Sequence, residues 1–547
     1  MLSSGVDAIR FDTPCANGFT HKSHACRRLA RYIRLSATFY LSSELSVNHA
    51  PRYPSLYQVN TRVWLREMTR ESGKLATLDD VPDSILDSWA FLGFDWVWLL
   101  GIWQTGNAAR DVSRSHADWV NGYKAQLPDL RPEDITGSPF AIKSYTAHSD
   151  FGGDIALARF RDRLKKRGMK LLLDFVPNHT APDHPWVFEH PEYYIAGSDD
   201  DLAREPGNYR RVDTRNGGRV IAYGRDPYFP GWPDTLQVNY RSLGLRHAVI
   251  GELERIAGQC DGLRCDMAML PLPDVIQRTW GDRSLPADGT PPVDASFWPD
   301  ALTRVRGGHP DFMFMAEVYW DREYDLQQQG FDYTYDKRLY DRLNSRQAES
   351  VRGHLCADAE FQRKSVRFLE NHDEPRAAVE FPPDLHRAAA VIAFLVPGMR
   401  FFHEGELEGR RVHVSMHLGR RPAEPVDEEL RAFYLQLLAV LKSPIPKDGE
   451  WTLLECHPAW DGNVTAQQFI AFSWQLGGSR LLAAVNFGPA QGQCYIPVPW
   501  HDLAGKPVML CDRLTVASYE RSGEDLQRQG MYLDLPAWGY HVFEVRV

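Results

Sequence analysis

The chain has 547 residues, 43% of them hydrophobic and 24% charged, which is long enough for a large core and more than one domain. No apolar run of about 18 residues is present, which disfavours a membrane span. The formal net charge of -10 disfavours a nucleic-acid partner, because phosphate binding needs clustered Lys and Arg. The start lacks the order of a secretory signal, so we expect a cytoplasmic protein.

The first part of the chain, residues 1–50, shows no clear hydrophobic period. We expect a disordered extension there, with a short amphipathic or targeting helix in CRRLARYIRL as the alternative. From residue 56 onwards, strand-like apolar runs alternate with segments of helical period, and this alternation predicts a parallel sheet. The first predicted strands are 56–65, 94–101 and 169–176, and the helices between them are 81–93 and 154–168.

The alternation pauses over 180–240, a segment rich in Pro, Gly, Asp and aromatic residues. A loop of that length inside a domain is usually functional, so we expect a small subdomain inserted after the third strand. A helix at 245–259 follows, and the later predicted strands are 262–267, 312–318, 331–335, 366–370 and 399–403. Counting from residue 56 gives eight strands, which predicts an α/β fold of the (β/α)8 TIM barrel type.

From residue 451 the pattern changes to short β-rich runs separated by turn residues, typical of an antiparallel β domain. We therefore expect an extension over 1–50 and a catalytic barrel over 51–445 that contains the insertion at about 180–240. A C-terminal β-sandwich domain is expected over 446–547.

Four predicted strands lead directly into acid, amide, imidazole or guanidinium groups. Because parallel barrel strands end at one mouth, we expect Asp266, Glu317 and Asp373 to converge there. Two or three carboxylates at one mouth suit chemistry at a glycosidic carbon. The four segments are LLLDFVPNH (171–179), DGLRCDMA (261–268), FMFMAEVYW (312–320) and VRFLENHDEPR (366–376).

The surroundings of two of these acids predict different roles. Arg264 lies two residues before Asp266 on a strand, so it points the same way and favours the ionised carboxylate that a nucleophile requires. Glu317 follows FMFMA, and desolvation there would raise its pKa towards the value that a general acid needs. The alternative is structural, since a lone acid at a strand end is more often a helix cap or a surface ion pair.

Neighbouring polar groups offer hydrogen bonds to sugar hydroxyls. Asp174 and His179 form one set and His372 another. Arg376 is expected to pair with Asp174 or Asp373, with the binding of a sugar or a phosphate as the alternative. Flat rings stack well on pyranoses, although core packing is the alternative for each of them. The tryptophans near these strand ends or in the insertion are Trp98, Trp103, Trp186, Trp232 and Trp320.

The four segments resemble the signature regions of the alpha-amylase family of glycoside hydrolases (glycoside hydrolase family 13). DFVPNH is similar to the first region, GLRCD to the second, the glutamate of AEVYW to the third and ENHD to the fourth, over a match of about 56–408. The resemblance implies that Asp266 is the nucleophile, Glu317 the general acid/base and Asp373 the transition-state stabiliser. It also implies an α-linked oligosaccharide or glucan as substrate.

The same resemblance assigns supporting roles around the sugar at the cleavage point. His179, Arg264 and His372 would contact that sugar. The ring of Tyr145, in the segment SPFAIKSYTAHSDFGG (138–153), would stack on it.

The chain departs from many starch-cleaving members at Met269 and Leu270, where those carry Lys and His. Apolar residues there put hydrolysis of long-chain starch in doubt and would favour transfer if they exclude water. The missing His usually contributes to a calcium site, and 180–240 shows no dense Asp and Asn set. We expect no metal or other cofactor, with calcium as an open alternative.

The sequence thus predicts a retaining α-glycosidase that acts through a β-glycosyl-enzyme. Transglycosylation, as in maltosyl or glucosyl transfer, is the alternative within the same enzyme class. A third reading is a barrel without catalysis that serves as a carbohydrate-binding scaffold, which the presence of all three carboxylates disfavours.

Overall fold

The computed structural model describes residues 50–547, so the expected extension lies, except for residue 50, outside the described residues. The barrel strands are β1 Ser55–Asn60, β2 Trp96–Leu100, β3 Lys170–Phe175, β4 Gly262–Cys265, β5 Met313–Ala316, β6 Tyr333–Tyr335, β7 Ser365–Arg367 and β8 Met399–His403. These eight parallel strands form a closed barrel in the order β1-β8-β7-β6-β5-β4-β3-β2, which confirms the predicted fold class.

The barrel strands are apolar because both of their faces are covered. β2, β4, β5 and β8 are buried at every position. β1 closes the barrel against two neighbours, with Leu56 opposite Phe401 of β8 and Trp96 of β2. Each strand therefore delivers its carboxyl end to the same mouth.

The expected strand over 56–65 is wrong beyond Asn60. The Asn60 side chain accepts a hydrogen bond from the backbone N–H of Val63 and caps a helix, Thr61–Ser72. The first five residues of that helix, 61–65, are all buried. The sequence alone does not predict this helix, because an apolar run this short has no period that separates helix from strand.

Helices connect consecutive strands and cover the outside of the barrel. The expected end of a helix at Gly93 is confirmed, since this residue caps Asp83–Leu92 with φ 91°, a conformation that suits glycine. The helices that follow the strands are Thr61–Ser72, Asp83–Leu92, Gly153–Lys165, Leu243–Ala257, Pro273–Trp280, Trp298–Gly308, Glu323–Gln328, Lys337–Asn344, Ala348–Leu355, Ala359–Arg363, Ala377–Glu380, Pro383–Leu395, Glu428–Leu441 and Pro444–Asp448.

The insertion after β3 has its own small sheet, in which Gly217–Ala222 pairs with Ala196–Gly197 and Tyr209–Thr214. A short antiparallel pair, His179–Thr180 with Leu236–Gln237, joins it to the barrel. A second outgrowth follows β2 and was not predicted. It contains the pair Trp103–Thr105 with Ile142–Ala147 and the helices Asn107–Ser115 and Ala117–Gln126.

The C-terminal part is antiparallel, as predicted. Two sheets of six and three strands enclose a shared apolar cluster that includes Phe469 and Phe543 from one sheet and Ile496 and Leu533 from the other. The larger sheet contains Glu450–Leu454, Phe469–Leu476, Ser479–Asn486, Tyr540–Arg546, Pro507–Asp512 and Ser518–Ser522, and the smaller contains His457–Pro458, Gly492–Ile496 and Met531–Leu535. Within residues 50–547, no helix is both long and apolar enough to cross a membrane.

Candidate active site

Arg264 lies at the centre of a cluster of carboxylates at the barrel mouth. Its side chain is fully buried on β4, and Asp266 follows this strand. Nη1 donates a hydrogen bond of 2.6 Å to Oδ1 of Asp266, and Nη2 lies 2.8 Å from Oε2 of Glu317. Asp174 of β3 is more distant, with its Oδ1 3.8 Å from Nη1. The structure therefore brings Asp266 and Glu317, from neighbouring strands, onto one guanidinium group.

Aromatic rings enclose the Arg264 guanidinium. Its central carbon lies 5.2 Å from the ring centroid of Phe140, 5.4 Å from that of Trp98 and 5.9 Å from that of Tyr335. The negative faces of such rings stabilise a cation and keep water away. Burial disfavours the charge, but neighbouring groups led by Glu317 outweigh this and hold the pKa of Arg264 well above its usual value.

Glu317 is held at both of its carboxyl oxygens. The backbone N–H of Met267 donates to Oε2 at 2.7 Å, and the hydroxyl of Tyr319 donates to Oε1 at 3.0 Å. Oε2 also faces Arg264, so Oε1 is the oxygen better placed to carry a proton. Met267 has φ 40°, which is uncommon for a residue with a side chain and is a strain often found at functional sites.

The pocket separates the pKa values of its two central carboxyl groups. Desolvation raises the pKa of Glu317 to about 8, against the opposing charge of Arg264. Desolvation also raises the pKa of Asp266, to about 6, again opposed by Arg264. The expected influence of Arg264 on Asp266 is therefore present, but burial outweighs it. The order of the two values suits an ionised Asp266 and a protonated Glu317 near neutral pH.

Asp373 and His372 follow β7 and lie side by side, with Nε2 of His372 3.1 Å from Oδ2 of Asp373. The Asp373 side chain is 33% exposed and faces the open mouth, whereas that of His372 is 3% exposed. Burial, with the positive charge of Arg264 and with His413, lowers the pKa of His372 well below its usual value, so this imidazole is neutral.

Asp174 lies in the buried floor of the site. The backbone N–H of Gly101 donates to its Oδ2 at 3.3 Å, while Oδ1 has no hydrogen-bond partner among residues 50–547. Desolvation raises the pKa of Asp174 to about 6, against the charge of Arg264. The residue therefore adds negative charge near Arg264, and its contact with a substrate stays a prediction.

His179 lies farther out, where the inserted subdomain joins the barrel. Its ring centroid is 5.3 Å from that of Trp232, and its Nδ1 is 3.4 Å from Nδ2 of Asn178. Burial lowers its pKa to about 3, so the ring is neutral. In the described part of the chain, no hydrogen bond or ion pair joins it to the carboxylates on Arg264.

Tyr145 is buried, and hydrogen bonds within the protein hold its hydroxyl. Its hydroxyl donates to the carbonyl of Val176 at 3.1 Å and accepts from the N–H of the same residue at 3.0 Å. Its ring packs at 5.6 Å from Trp103 and 5.5 Å from Phe175.

Phe140 is the ring of this segment that lies beside the charged groups. It contacts Arg264 and lies 5.6 Å from the ring of His372. Phe140 is 8% exposed and Tyr145 7%, so Phe140 is a second candidate beside Tyr145 for the ring that stacks on a sugar. The available signal was that the segment 138–153 contains an aromatic residue five positions earlier.

Arg376 does not pair with Asp174 or Asp373, so that expectation is wrong. It forms an ion pair with the buried Glu370 on its own loop, and Nη1 also donates to the carbonyl of Glu404 at 2.9 Å. The guanidinium of Arg376 therefore pairs with a carboxylate close to it in the chain, Glu370.

Met269 and Leu270 are 0% and 5% exposed and belong to the main apolar core. They therefore offer little surface to an acceptor sugar. The apolar wall that would favour transfer does not come from these two side chains.

An aromatic surface lies next to the loop that carries Glu317. Trp320 follows three residues later with φ 65°, and its ring contacts Tyr228 of the subdomain at 5.1 Å. Arg278 lies over both rings, at 5.1 Å from Tyr228 and 5.5 Å from Trp320. Tyr228 is 59% exposed, so this surface is open to a ligand on the side of the predicted acid.

No group of three or more His, Cys, Asp or Glu arranged for a metal ion is found in residues 50–547. The carboxylates at the mouth share the Arg264 cation instead. The expectation of no metal cofactor stays a prediction.

Comparison with known proteins finds alpha-amylases and maltosyltransferases among the similar chains. A family model described as the alpha amylase catalytic domain matches residues 91–217. Alpha-amylase MalA of Haloarcula japonica is 26% identical over 447 residues, covering 79% of this chain and 55% of that protein. The alpha-1,4-glucan:maltose-1-phosphate maltosyltransferase of Salinibacter ruber is 29% identical over 201 residues, covering 32% of this chain and 28% of that protein.

The maltogenic alpha-amylase AmyB of Thermotoga neapolitana has a similar solved structure, with a TM-score of 0.62 at 18% identity. The alignment covers 92% of this chain and 100% of that chain, and at this identity it shows a shared fold alone. The chain spans about half, or less, of the length of the two curated relatives.

Proposed function

We propose that this chain is a member of the alpha-amylase family of glycoside hydrolases and a retaining α-glycosidase acting on α-linked oligosaccharides or glucans. The observation that carries the proposal is the contact of Asp266 and Glu317 with the one guanidinium of Arg264. Their pKa values, about 6 and about 8, separate a nucleophile from an acid.

In the first step, Asp266 attacks the anomeric carbon while the bond to the leaving oxygen breaks. Glu317 gives its proton to that oxygen, which gives a β-linked glycosyl-enzyme and an ionised Glu317. In the second step, Glu317 takes a proton from water or from a sugar hydroxyl, and the resulting oxygen nucleophile displaces Asp266. Two inversions return the α configuration.

Neighbouring groups are proposed to hold the sugar. Asp373 faces the mouth and accepts hydrogen bonds from sugar hydroxyls as charge develops on the ring, and the neutral His372 donates beside it. Phe140 offers its face to the sugar, whereas Asp174 keeps Arg264 in place. We further propose that residues 51–445 carry catalysis and that 446–547 form an accessory domain, with no metal required.

Transfer to a sugar acceptor is the second candidate, because several curated relatives are named maltosyltransferases. The exposed ring of Tyr228 and the partly buried ring of Trp320 next to the Glu317 loop would bind an acceptor chain. Incubation with maltooligosaccharides distinguishes hydrolysis from transfer, because hydrolysis yields only shorter products and transfer also yields longer ones.

The test of catalysis is Asp266→Asn with an activated α-glucoside as substrate. We expect turnover to fall by about four orders of magnitude with the fold retained, because the amide is a poor nucleophile. Asp261→Asn is the matched control, since Asp261 precedes the same strand at the opposite end and pairs with Arg161. Full activity of Asp266→Asn would reject the assignment.

A further inference from the structure

Gln58 lies behind the candidate site between two histidines. It is a fully buried residue of β1. Its Nε2 is 3.0 Å from Nδ1 of His372, and its Oε1 is 2.7 Å from Nδ1 of His403. Both histidines line a pocket whose lining does not include Gln58. The Gln58 side chain therefore reaches that pocket through the two rings.

The direction of these hydrogen bonds follows from the Gln58 amide. A neutral imidazole has one N–H and one acceptor nitrogen. The amide NH2 of Gln58 can only donate, so Nδ1 of His372 is the acceptor and the hydrogen of this ring lies on Nε2. The Gln58 oxygen can only accept, which places the hydrogen of His403 on Nδ1. Nε2 of His372 lies 3.1 Å from Oδ2 of Asp373 without a hydrogen bond, and it has no other hydrogen-bond partner in residues 50–547.

The groups that face the two rings keep them neutral. His372 has the charge of Arg264 and the ring of His413 nearby, and burial lowers its pKa well below the usual value. His403 has Arg376 and Arg421 nearby in addition to the histidines, and burial lowers its pKa in the same direction. Asp373 is the acid in contact with His372. A neutral ring can adopt either tautomer, so something must select one.

We propose that Gln58 is a positioning residue that fixes His372 as the Nε2–H tautomer and His403 as the Nδ1–H tautomer. His372 then presents an N–H to Asp373 and to a sugar hydroxyl beside it. The opposite tautomer would point a lone pair at a carboxylate. The part that concerns the sugar rests on the proposed function, whereas the tautomers themselves do not.

The experiment is nitrogen NMR of the full chain with labelled histidine. The chain has 19 histidines, and the signals of the two rings are identified by their loss in His372→Asn and His403→Asn. We expect the unmodified protein to show the two tautomers stated above, unchanged between about pH 5 and 8. The Nδ1–H tautomer at His372 in the unmodified protein would overturn the proposal, whether or not any variant folds.

Two variants test whether Gln58 selects the tautomers. In Gln58→Glu both carboxylate oxygens accept, so His372 should change to the Nδ1–H form and kcat/KM should fall at least about tenfold. In Gln58→Met neither bond remains, so a mixture of tautomers is expected. Unchanged tautomers in both variants would contradict the proposal.

Gln327→Met is the matched control, because Gln327 is also buried and donates to the Thr334 hydroxyl at 2.9 Å outside the site. It should lose a comparable amount of stability without moving either histidine signal. The proposed glycosidase activity and the proposed role of Gln58 can be rejected independently of each other. An inactive protein with the expected tautomers would reject the glycosidase and keep the role of Gln58.

Discussion

The Tyr319 hydroxyl donates a hydrogen bond of 3.0 Å to Oε1 of Glu317. This contact joins two residues of one short loop after β5, and it acts on the oxygen that does not face Arg264. A donor to a carboxylate stabilises its ionised form, so Tyr319 opposes the desolvation that raises the pKa of Glu317.

Tyr319→Phe should therefore move the alkaline limb of the pH profile of kcat/KM upwards by about one unit, because the ionised form of Glu317 loses a donor. We expect kcat/KM at its optimum to fall about three- to tenfold as the carboxyl group becomes less well oriented. Tyr324→Phe is the control, since Tyr324 is 58% exposed on the following helix. An unchanged or lowered alkaline limb would show that the contact does not influence the acid.

The pH dependence of the unmodified protein follows from the two central carboxyl groups. Below about 6, Asp266 gains a proton and loses its nucleophilic form, and above about 8, Glu317 loses the proton it must donate. A bell-shaped profile of kcat/KM with apparent pKa values near these two is expected for the pair. The measurement uses an unactivated maltooligosaccharide, because a good leaving group departs without protonation by a general acid and would hide the titration of Glu317. A flat profile between pH 5 and about 9 would contradict this assignment.

Glu317→Gln should stabilise the fold while it removes activity. The folded state raises the pKa of Glu317 from 4.5 to about 8, so it retains a proton that the unfolded chain releases. The stability of the unmodified protein therefore falls as pH rises through this window, by about 1.4 kcal/mol per unit. Glutamine carries no such proton, so its thermal advantage should grow from pH 5 to 8.

Thermal unfolding of both proteins across pH checks this prediction, with the exposed Glu349→Gln as control. A stability difference that stays constant as pH rises would mean that Glu317 is already ionised in the folded state at pH 5. The pairing with Arg264 would then outweigh the cost of burial.

Arg264→Lys should be strongly impaired despite the retained charge. A single ammonium cannot contact Asp266 and Glu317 with two separate nitrogens, nor lie flat against Phe140 and Trp98. We expect kcat/KM to fall at least about 100-fold and the acid limb to move upwards, because Asp266 loses its hydrogen bond.

Arg246→Lys is the matched control for that substitution. Arg246 is also buried, but it donates to backbone carbonyls, among them that of Tyr240 at 2.6 Å, away from the site. Activity of Arg264→Lys within threefold of that control would show that the fork geometry of Arg264 is not needed.

The barrel and its central acids could be predicted because both depend on patterns that the sequence carries directly. Strands covered on both faces must be apolar, and polar residues at their ends must meet at one mouth. Asp266, Glu317 and Arg264 lie together for this reason. The helix that starts at Thr61 was missed because TRVWL is too short to show its period.

Contacts set by packing could not be predicted. Which ring of 138–153 faces Arg264 depends on an irregular strand pair, where the register shifts around Gln104. Gln58 carries no motif, and its role appears only when β1 lies beside β8, next to β7. The sequence offers Arg376 several carboxylates as partners, and in the structure it pairs with Glu370 on its own loop.

The central claim, that Asp266 forms a covalent bond to the sugar and Glu317 assists both steps, is tested most directly in Glu317→Gln with an α-glycosyl fluoride. Fluoride leaves without an acid, whereas the second step lacks its base, so the glycosyl-enzyme should accumulate. Mass spectrometry should then find one glycosyl unit on the peptide that contains Asp266. A glycosyl unit on Asp373, or a β-configured product with no adduct, would contradict the account.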